Sequence, residues 1–203
     1  MHEPQAAAVN QSLFSQLEPL LDSYLKGKSA QINEIANLVA SNPFEPILSS
    51  TLNIGHTKAD IEIRLAILQA SYPAIEAYKN SLKIQTSLLP ETFQLYIPLA
   101  LYMAQRSQSI RQQNQRAAVF GINGGQGSGK TTLNAFWQII LQRGMGLRTA
   151  GFSIDDVYKT YVQRQQMATE VHPLFATRSV AGTHDTGLAI NTLNALSHSK
   201  PGQ

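Results

Sequence analysis

Four glycines fall within the six residues Gly124–Gly129, and this cluster constrains the fold more than any other part of the chain. An apolar run over residues 118–122 comes directly before the cluster, and an amphipathic stripe over residues 131–143 comes directly after it. An apolar run bounded by glycines is typical of a buried strand, and apolar residues three or four apart are typical of a helix. The order strand, glycine loop, helix therefore predicts the start of a parallel sheet.

A second strand is predicted over residues 148–154, where Ala150, Phe152 and Ile154 alternate with other residues. The predicted fold class is α/β: a partial parallel sheet of the P-loop NTPase type, in three α/β/α layers, preceded by an all-helical N-terminal region. Two strands do not make a stable sheet of this kind, and no segment after Ile154 gives a clear third strand. We therefore expect the chain to be an incomplete portion of a larger fold.

The N-terminal region is predicted to be helical because apolar residues recur there at helical spacing. The stripes run over Leu13–Leu25, Ile32–Val39 and Ile61–Tyr72, and a fourth helix is predicted from about Glu91 to Arg116 with Pro98 as a kink. Further helices are predicted over Tyr158–Glu170 and Gly187–Leu196. These patterns predict two domains, a helical region over residues 1–115 and a partial P-loop domain over residues 116–203.

Composition excludes several classes of protein. None of the 203 residues is a cysteine, which excludes disulfides, thiolate metal sites and thiol nucleophiles. The net charge is −3 over residues 1–100 and +6 over residues 101–203, and a basic, glycine-rich half favours phosphate binding. The overall charge of +3 is too small to indicate nucleic-acid binding. We find no secretory signal and no apolar run of membrane-spanning length, so we expect a soluble, cytoplasmic protein without nucleic-acid or membrane partners.

The segment Gly124–Thr131 matches G-x-x-x-x-G-K-[ST], the phosphate-binding loop of nucleotide-binding proteins. Glycines allow backbone N–H groups to converge on phosphate oxygens, and the N-terminus of the next helix favours the same anion. Lys130 is expected to contact the β- and γ-phosphates, and the Thr131 hydroxyl to ligate Mg²⁺. A glycine-rich turn with an exposed lysine is the alternative, but it would not require a strand before the loop and a helix after it. The predicted cofactors are ATP and Mg²⁺.

Asp155 and Asp156 follow the second predicted strand, at the edge where α/β sheets bind ligands. A carboxylate there is suited to accept a proton from an acceptor hydroxyl or to organise Mg²⁺. The structural alternative is a helix N-cap, and two adjacent acids allow one to cap while the other acts. We predict that Asp155 is the base or metal-organising group.

Other candidate residues are less specific taken alone. The run Gly182–Asp185 is typical of a turn, and a lone arginine such as Arg178 is typical of a solvated surface. Three arginines of the predicted fourth helix could contact nucleic acid, but few aromatic residues lie between them, so we interpret them as a solvated helix face. They are Arg106, Arg111 and Arg116.

In combination, four segments of the chain resemble the D-glycerate 3-kinase family. This family belongs to the P-loop kinases, with uridine kinase, phosphoribulokinase and the bacterial pantothenate kinases. The segments are Leu95–Leu101, Val119–Leu133, Ser153–Tyr158 and Arg178–Asp185. The resemblance covers roughly residues 92–203 and does not extend to the helical N-terminal region.

The resemblance implies transfer of a phosphoryl group from MgATP to D-glycerate, giving 3-phosphoglycerate. It implies catalytic roles for Lys130 and Asp155, and Mg²⁺ ligation by Thr131 and Asp155. The implied nucleotide-binding residues are Gly124, Gly125, Gln126, Gly127, Ser128, Gly129, Lys130, Thr131 and Thr132. The implied acceptor-binding residues are Asp156, Tyr158, Arg178, His184 and Asp185. An arginine suits the acceptor because its planar fork binds a carboxylate bidentately.

The sequence departs from the family pattern at three positions near the implied acceptor site. Val157 stands where the family usually has an aromatic residue, and Ser179 and Ala181 stand where glycine and proline are common. Family members also continue beyond the point matched by the end of this chain, so residues 1–203 alone are expected to bind nucleotide weakly and turn over little. Two alternatives stay open: a kinase for pantothenate, a nucleoside or a sugar phosphate, and a non-catalytic nucleotide-binding module.

Overall fold

Helices are the main elements of the computed structural model, which describes residues 3–43 and 45–198. The α-helices are α1 (Glu3–Leu25), α2 (Ile32–Ala40), α3 (Glu45–Leu52), α4 (Lys58–Ser81), α5 (Leu89–Glu91), α6 (Ile97–Asn114), α7 (Lys130–Ile139), α8 (Tyr161–Glu170) and α9 (Thr186–Ser197). Single π-helical turns cover Thr92–Tyr96 and Ile140–Gly144, and 3₁₀ turns cover Ile154–Val157 and Pro173–Ala176. None of these described helices combines the length and apolar character that crossing a bilayer requires.

The chain separates into two compact units. The first unit contains the residues up to Arg106 together with Ile122–Thr149, and the second contains Ser107–Gly121 and the residues from Ala150 onward. The predicted division between residues 115 and 116 is a boundary between sequence domains, which spatial compactness does not test. That division stays a prediction.

The helices of the N-terminal region form where the apolar stripes predict them. Helix α1 ends two residues before Gly27, which has a left-handed φ of +81° that glycine adopts without strain. Helix α4 begins after Thr57 with a capping box, in which Thr57 and Asp60 each accept a backbone N–H from the other. Helix α3 was not predicted, because its eight residues are too few to show a repeating stripe.

The predicted fourth helix is present, but its irregularity precedes Pro98. Helix α5, the first π-helical turn and α6 follow one another without a break from Leu89 to Asn114. Within the π-helical turn, the Ile97 N–H donates to the Thr92 carbonyl five residues earlier. Pro98 has no N–H to donate to the carbonyl four residues before it, so the hydrogen-bond pattern changes in the turn upstream of the proline.

The core of the first unit includes helix α7, which the sequence predicted as the helix that follows the first strand of a partial parallel sheet. Phe136 of α7 is buried, with its ring centroid 5.9 Å from that of Tyr78 in an edge-to-face contact and 5.8 Å from that of Tyr96. Ile140 is also fully buried in this core. The remaining buried apolar residues come from α1, α2, α4, α5, the first π-helical turn and α6. Helix α7 is therefore held by packing against the helical region.

Close contact between α4 and the second π-helical turn depends on Gly144. A Cβ atom at this position would lie 2.7 Å from Ile67 Cγ2 and 3.3 Å from the Ile67 carbonyl oxygen. No side chain larger than hydrogen fits there unless the backbones move apart. Gly144 is the last residue of the second π-helical turn, and its lack of a side chain lets this turn approach α4.

A buried ion pair lies in the first unit. The Arg64 guanidinium contacts the Glu45 carboxylate at 3.2 Å and donates to the Gly55 carbonyl at 2.7 Å, and both charged side chains are almost completely buried. Burial raises the pKa of the Glu45 carboxyl, and the positive charge of Arg64 opposes that shift. Because neither charged group is solvated, removing one of them would leave the other buried without its ion-pair partner.

The predicted parallel sheet does not form in the described residues, so the α/β fold class is wrong for them. Residues 118–122 and 148–153 form no strand, and Ile154 begins a 3₁₀ turn. Two side chains expected inside a sheet are exposed, Val119 by 61% and Ile154 by 68%. Apolar alternation predicted these strands, but a strand also needs a neighbour that pairs its backbone and covers its face. The described residues supply no such neighbour.

The second unit is built from short elements around a few buried residues. Helix α8 packs against the 3₁₀ turn Pro173–Ala176, and α9 packs against the 3₁₀ turn Ile154–Val157. The predicted helix over Tyr158–Glu170 begins only at Tyr161, because Thr160 forms its capping box with Gln163. Val157 is buried, and Tyr158, which follows it, is half-buried.

We expect Gly144→Ala to lower the free energy of unfolding by about 1–2 kcal/mol. Overpacking against Ile67 destabilises the fold by about 1–3 kcal/mol. The higher helix propensity of alanine offsets about 0.5–1 kcal/mol of this loss. Urea unfolding followed by circular dichroism measures the change. Gly121→Ala is the matched control, because a Cβ there meets no atom within 4 Å and the expected change is within about 0.5 kcal/mol. Equal effects of the two substitutions would contradict the close approach.

We expect Glu45→Ala to destabilise the chain by about 3–5 kcal/mol, because it leaves the Arg64 guanidinium buried without a counter-ion. The double variant Glu45→Leu with Arg64→Met should be less destabilised than Glu45→Ala, since it removes both charges. Chemical denaturation measures both values. A loss below about 1 kcal/mol for the single variant, as for an exposed pair, would show that the pair is solvated.

Candidate functional site

The loop before α7 has the backbone conformation that its glycines permit. Gly127 has a φ of +77° and Gly129 a φ of +80°, in the left-handed region that disfavours other residues. A Cβ atom at Gly124 would lie 2.8 Å from Ser128 Oγ, so any larger residue there would require the Ser128 side chain to move. Cβ atoms at Gly125, Gly127 and Gly129 would meet no protein atom within 4 Å, which leaves their backbone open to another molecule.

Helix α7 presents its N-terminus directly after this loop. Its N-cap residue is Gly129, which has no side chain to accept a hydrogen bond from the first turn. The first N–H groups of a helix have no partner within the helix, and the helix dipole places positive potential there. The first turn consists of Lys130, Thr131 and Thr132. Its N–H groups are suited to bind an anion such as phosphate.

The Lys130 side chain lies over the loop. Its ammonium donates to the Gly124 carbonyl at 2.9 Å and to the Gly125 carbonyl at 2.7 Å. The positive charge of the lysine is therefore next to the glycine backbone and the helix N-terminus. Nine consecutive residues, 124–132, meet in this loop and first turn, as the motif predicts. Their roles in nucleotide binding stay a prediction.

Asp155 and Asp156 lie in a 3₁₀ turn of the second unit and have different surroundings. The Asp156 carboxylate accepts the Ser153 N–H at 2.8 Å, and the Ser153 hydroxyl accepts the Asp155 N–H, which together form a capping box. The Asp155 carboxylate is exposed and has no hydrogen-bond or ion-pair partner among the described residues. One acid therefore closes the turn and the other is available for chemistry. This arrangement leaves Asp156 less suited than Asp155 to contact a substrate.

Three predicted acceptor residues lie together in the second unit. An antiparallel bridge pairs Tyr158 with His184, and their rings stack with centroids 4.0 Å apart and an interplanar angle of 26°. The Arg178 guanidinium carbon lies 5.5 Å from the Tyr158 ring centroid, a cation–π arrangement. Nε2 of His184 is buried and has no hydrogen-bond partner among the described residues. The structure thus brings together an exposed guanidinium, a phenol and an imidazole.

Asp185 has a structural contact in the same segment. Its carboxylate accepts the Leu188 N–H at 2.8 Å and caps α9, and its own N–H donates to the Val157 carbonyl at 2.7 Å. Gly182 has a φ of +89°, and the Thr183 N–H donates to the Val180 carbonyl at 3.1 Å, so the run 182–185 begins as a turn. The prediction that this run forms a turn is confirmed, and the turn places His184 beside Tyr158.

Sequence reasoning did not include Ser179 among the functional residues. The Ser179 hydroxyl lies 3.3 Å from the Tyr158 hydroxyl, within hydrogen-bond distance. Ser179 also has a φ of +71°, the left-handed conformation that favours glycine. The signal was present in the sequence, because glycine is common at this position in the family that the segment resembles. Where the sequence departs from the family pattern, Ser179 therefore has a strained backbone and lies beside Tyr158.

The oxygen donors suit Mg²⁺. This ion prefers oxygen ligands and is commonly held by one or two protein side chains together with substrate phosphates. The Thr131 hydroxyl of the first unit and the Asp155 carboxylate of the second unit are each such a donor, and both residues are exposed. Among the described residues, no three His, Asp or Glu side chains cluster as a metal site. Each donor by itself fits a metal that is bound mainly through phosphate oxygens.

A protein from Schizosaccharomyces pombe (strain 972 / ATCC 24843), named "Uncharacterized kinase mug58", is similar to this chain. The two sequences are 39% identical over 83 residues, which are 40% of this chain and 30% of that protein. The chain therefore matches less than a third of the relative's length. No protein-family model and no solved structure matches the chain significantly.

We expect Ser179→Gly to raise the free energy of unfolding by about 0.5–1 kcal/mol. A left-handed backbone costs a non-glycine residue about 1–2 kcal/mol, which glycine avoids. The greater flexibility of glycine in the unfolded chain offsets about 0.5–1 kcal/mol of this stabilisation. Thermal and urea unfolding measure the change. Ser179→Ala is the control, since it removes the same hydroxyl and keeps the strain. Stabilisation by alanine equal to that by glycine would contradict a backbone origin.

Proposed function

We propose that the chain is part of a small-molecule kinase that transfers the γ-phosphoryl group of MgATP to a hydroxyl of D-glycerate, giving 3-phosphoglycerate. The observation that carries this proposal is the loop 124–132, with its left-handed glycines, its uncapped helix N-terminus and Lys130 over the loop. The similarity to a protein named a kinase supports the reaction class. The resemblance of the acceptor segments to D-glycerate 3-kinase supports the choice of acceptor.

The phosphate-binding residues would act by electrostatic stabilisation. ATP supplies the phosphoryl group, and Mg²⁺ neutralises phosphate charge when both are bound. The N–H groups of the glycine loop and of the first turn of α7 donate to phosphate oxygens. Lys130 exchanges its contacts with the carbonyls of Gly124 and Gly125 for contacts with phosphate oxygens. The Thr131 hydroxyl holds the metal.

The acceptor-binding residues would orient the hydroxyl and remove its proton. Asp155 accepts that proton, because its carboxylate is free while the carboxylate of Asp156 closes the turn. Arg178 binds the carboxylate of glycerate through its planar fork. The buried Nε2 of His184 gains a partner from a hydroxyl of the acceptor, which removes the free-energy cost of an unpaired polar atom.

We expect Lys130→Ala to lower kcat/KM by at least about a hundredfold, because the lysine stabilises charge that develops on the transferred phosphoryl group. The assay is ATP consumption with D-glycerate, pantothenate or uridine as acceptor. Lys28→Ala is the matched control, since Lys28 is an exposed lysine of the same unit. Turnover unaffected by Lys130→Ala would contradict a catalytic role for the loop.

Asp155→Asn separates binding from chemistry. It should leave ATP affinity within about twofold of the wild-type value and lower kcat by about a hundredfold or more, as expected on loss of a general base. Calorimetric titration of ATP and the same turnover assay measure the two quantities. Turnover with pantothenate or uridine but not D-glycerate would replace the acceptor. ATP binding without turnover on any acceptor would favour a non-catalytic binding module.

A further inference from the structure

Arg164 of α8 is a buried cation whose hydrogen bonds go to neutral groups. Only 7% of the residue is exposed, and its guanidinium donates to the Ala176 carbonyl at 2.7 Å and to the Lys159 carbonyl at 3.3 Å. No carboxylate lies within ion-pair distance of it among the described residues. Burying a charge without a counter-ion costs free energy that an apolar side chain would not incur. The Tyr161 ring, with its centroid 5.8 Å from the guanidinium carbon, adds a cation–π contact, but this ring is 67% exposed and supplies no counter-charge. An apolar side chain at this position would avoid the cost of burying the charge.

The two carbonyls belong to the segments that carry the candidate acceptor residues. Lys159 directly follows Tyr158, and Ala176 precedes Arg178 by two residues. The guanidinium is planar, and its donors have fixed directions, so one side chain bonded to both carbonyls sets the spacing between the two segments. At that spacing the Arg178 guanidinium carbon lies 5.5 Å from the Tyr158 ring centroid.

We propose that Arg164 is a positioning residue that holds Arg178 against Tyr158 and thereby orients Arg178 toward the carboxylate of the acceptor. The assignment rests on the proposed function, because only that function gives Arg178 a substrate to bind. Arg164 itself does not contact the acceptor.

A second link in the same unit makes the effect of Arg164 specific. The Lys159 N–H donates to the Thr183 carbonyl at 2.8 Å, and the Asp185 N–H donates to the Val157 carbonyl at 2.7 Å. These bonds join Tyr158 to His184 without Arg164. Loss of Arg164 should therefore displace Arg178 from the Tyr158 ring and leave the stack of Tyr158 on His184 in place.

The test compares Arg164→Met, Arg164→Lys and the control Arg111→Met in the whole 203-residue chain. Methionine keeps an apolar stem and removes all donors, while lysine keeps the charge and lacks the planar fork. Arg111 is an exposed arginine of the same unit, on α6. NMR chemical shifts of the Arg178 side chain, which the Tyr158 ring moves upfield, report the contact, and Arg178→Lys and His184→Gln assign the signals.

We expect Arg164→Met to move the Arg178 side-chain shifts to random-coil values while the His184 ring shifts stay unchanged. In the turnover assay it should raise the KM for D-glycerate by about tenfold to a hundredfold, as for a misplaced binding group, with the KM for ATP and kcat within about twofold. Arg164→Lys should restore neither the shifts nor the KM fully. Arg111→Met should match the wild type.

Three results would overturn the assignment: unchanged Arg178 shifts in Arg164→Met, full restoration by lysine, or equal displacement of the Arg178 and His184 signals. The last result would indicate general loosening of the unit. If Arg164→Met does not fold, Arg164→Lys decides by the same signals. If the wild-type chain phosphorylates no acceptor, as its expected low turnover allows, the NMR comparison alone decides whether Arg164 sets the position of Arg178.

Discussion

The packing of Phe136 against Tyr78 and Tyr96 determines where the glycine loop 124–129 lies in the first unit. Phe136 is in the middle of α7, and the loop is joined to the first residue of that helix. Aromatic pairs in this geometry add about 0.5–1.5 kcal/mol beyond the burial of their surface. The helical N-terminal region, for which the sequence offered no function, thereby acts as the scaffold of the loop. Gly144 extends this contact by letting the end of the α7 segment lie against α4.

The glycine loop can take its conformation without a sheet beside it, because the interactions that determine this conformation are local. The left-handed glycines, the helix start at Lys130 and the two bonds from the lysine ammonium to loop carbonyls all lie within nine residues. A strand differs, because its hydrogen bonds go to segments that are distant in the sequence. The same sequence region therefore contains a formed loop and a preceding apolar run that is not a strand.

This difference also explains which parts of the molecule could be predicted. Helices α1, α2 and α4 follow from apolar periodicity, since a helix makes its own hydrogen bonds and needs only one apolar face. The strand predictions were wrong because apolar alternation does not identify a second strand with which the segment could pair. The cluster of Tyr158, Arg178 and His184 was expected only from family resemblance, since a bridge between residues 26 apart has no local signal. Arg164 had no recognisable sequence signal, because its hydrogen-bond partners are backbone carbonyls, which any sequence possesses.

The same arrangement occurs twice in the second unit: an acidic side chain forms a cap, and the residue before it keeps its side chain out of the cap. The two pairs are Asp155 with Asp156 and His184 with Asp185. In the first, Asp156 closes a 3₁₀ turn and Asp155 beside it keeps a free carboxylate. In the second, Asp185 caps α9 and His184 beside it stacks on Tyr158. A capping side chain fixes the backbone of its neighbour, so the neighbour's side chain is held without being used for structure. The acids Asp156 and Asp185 thus have a structural role, which is to hold the residue before each of them in place.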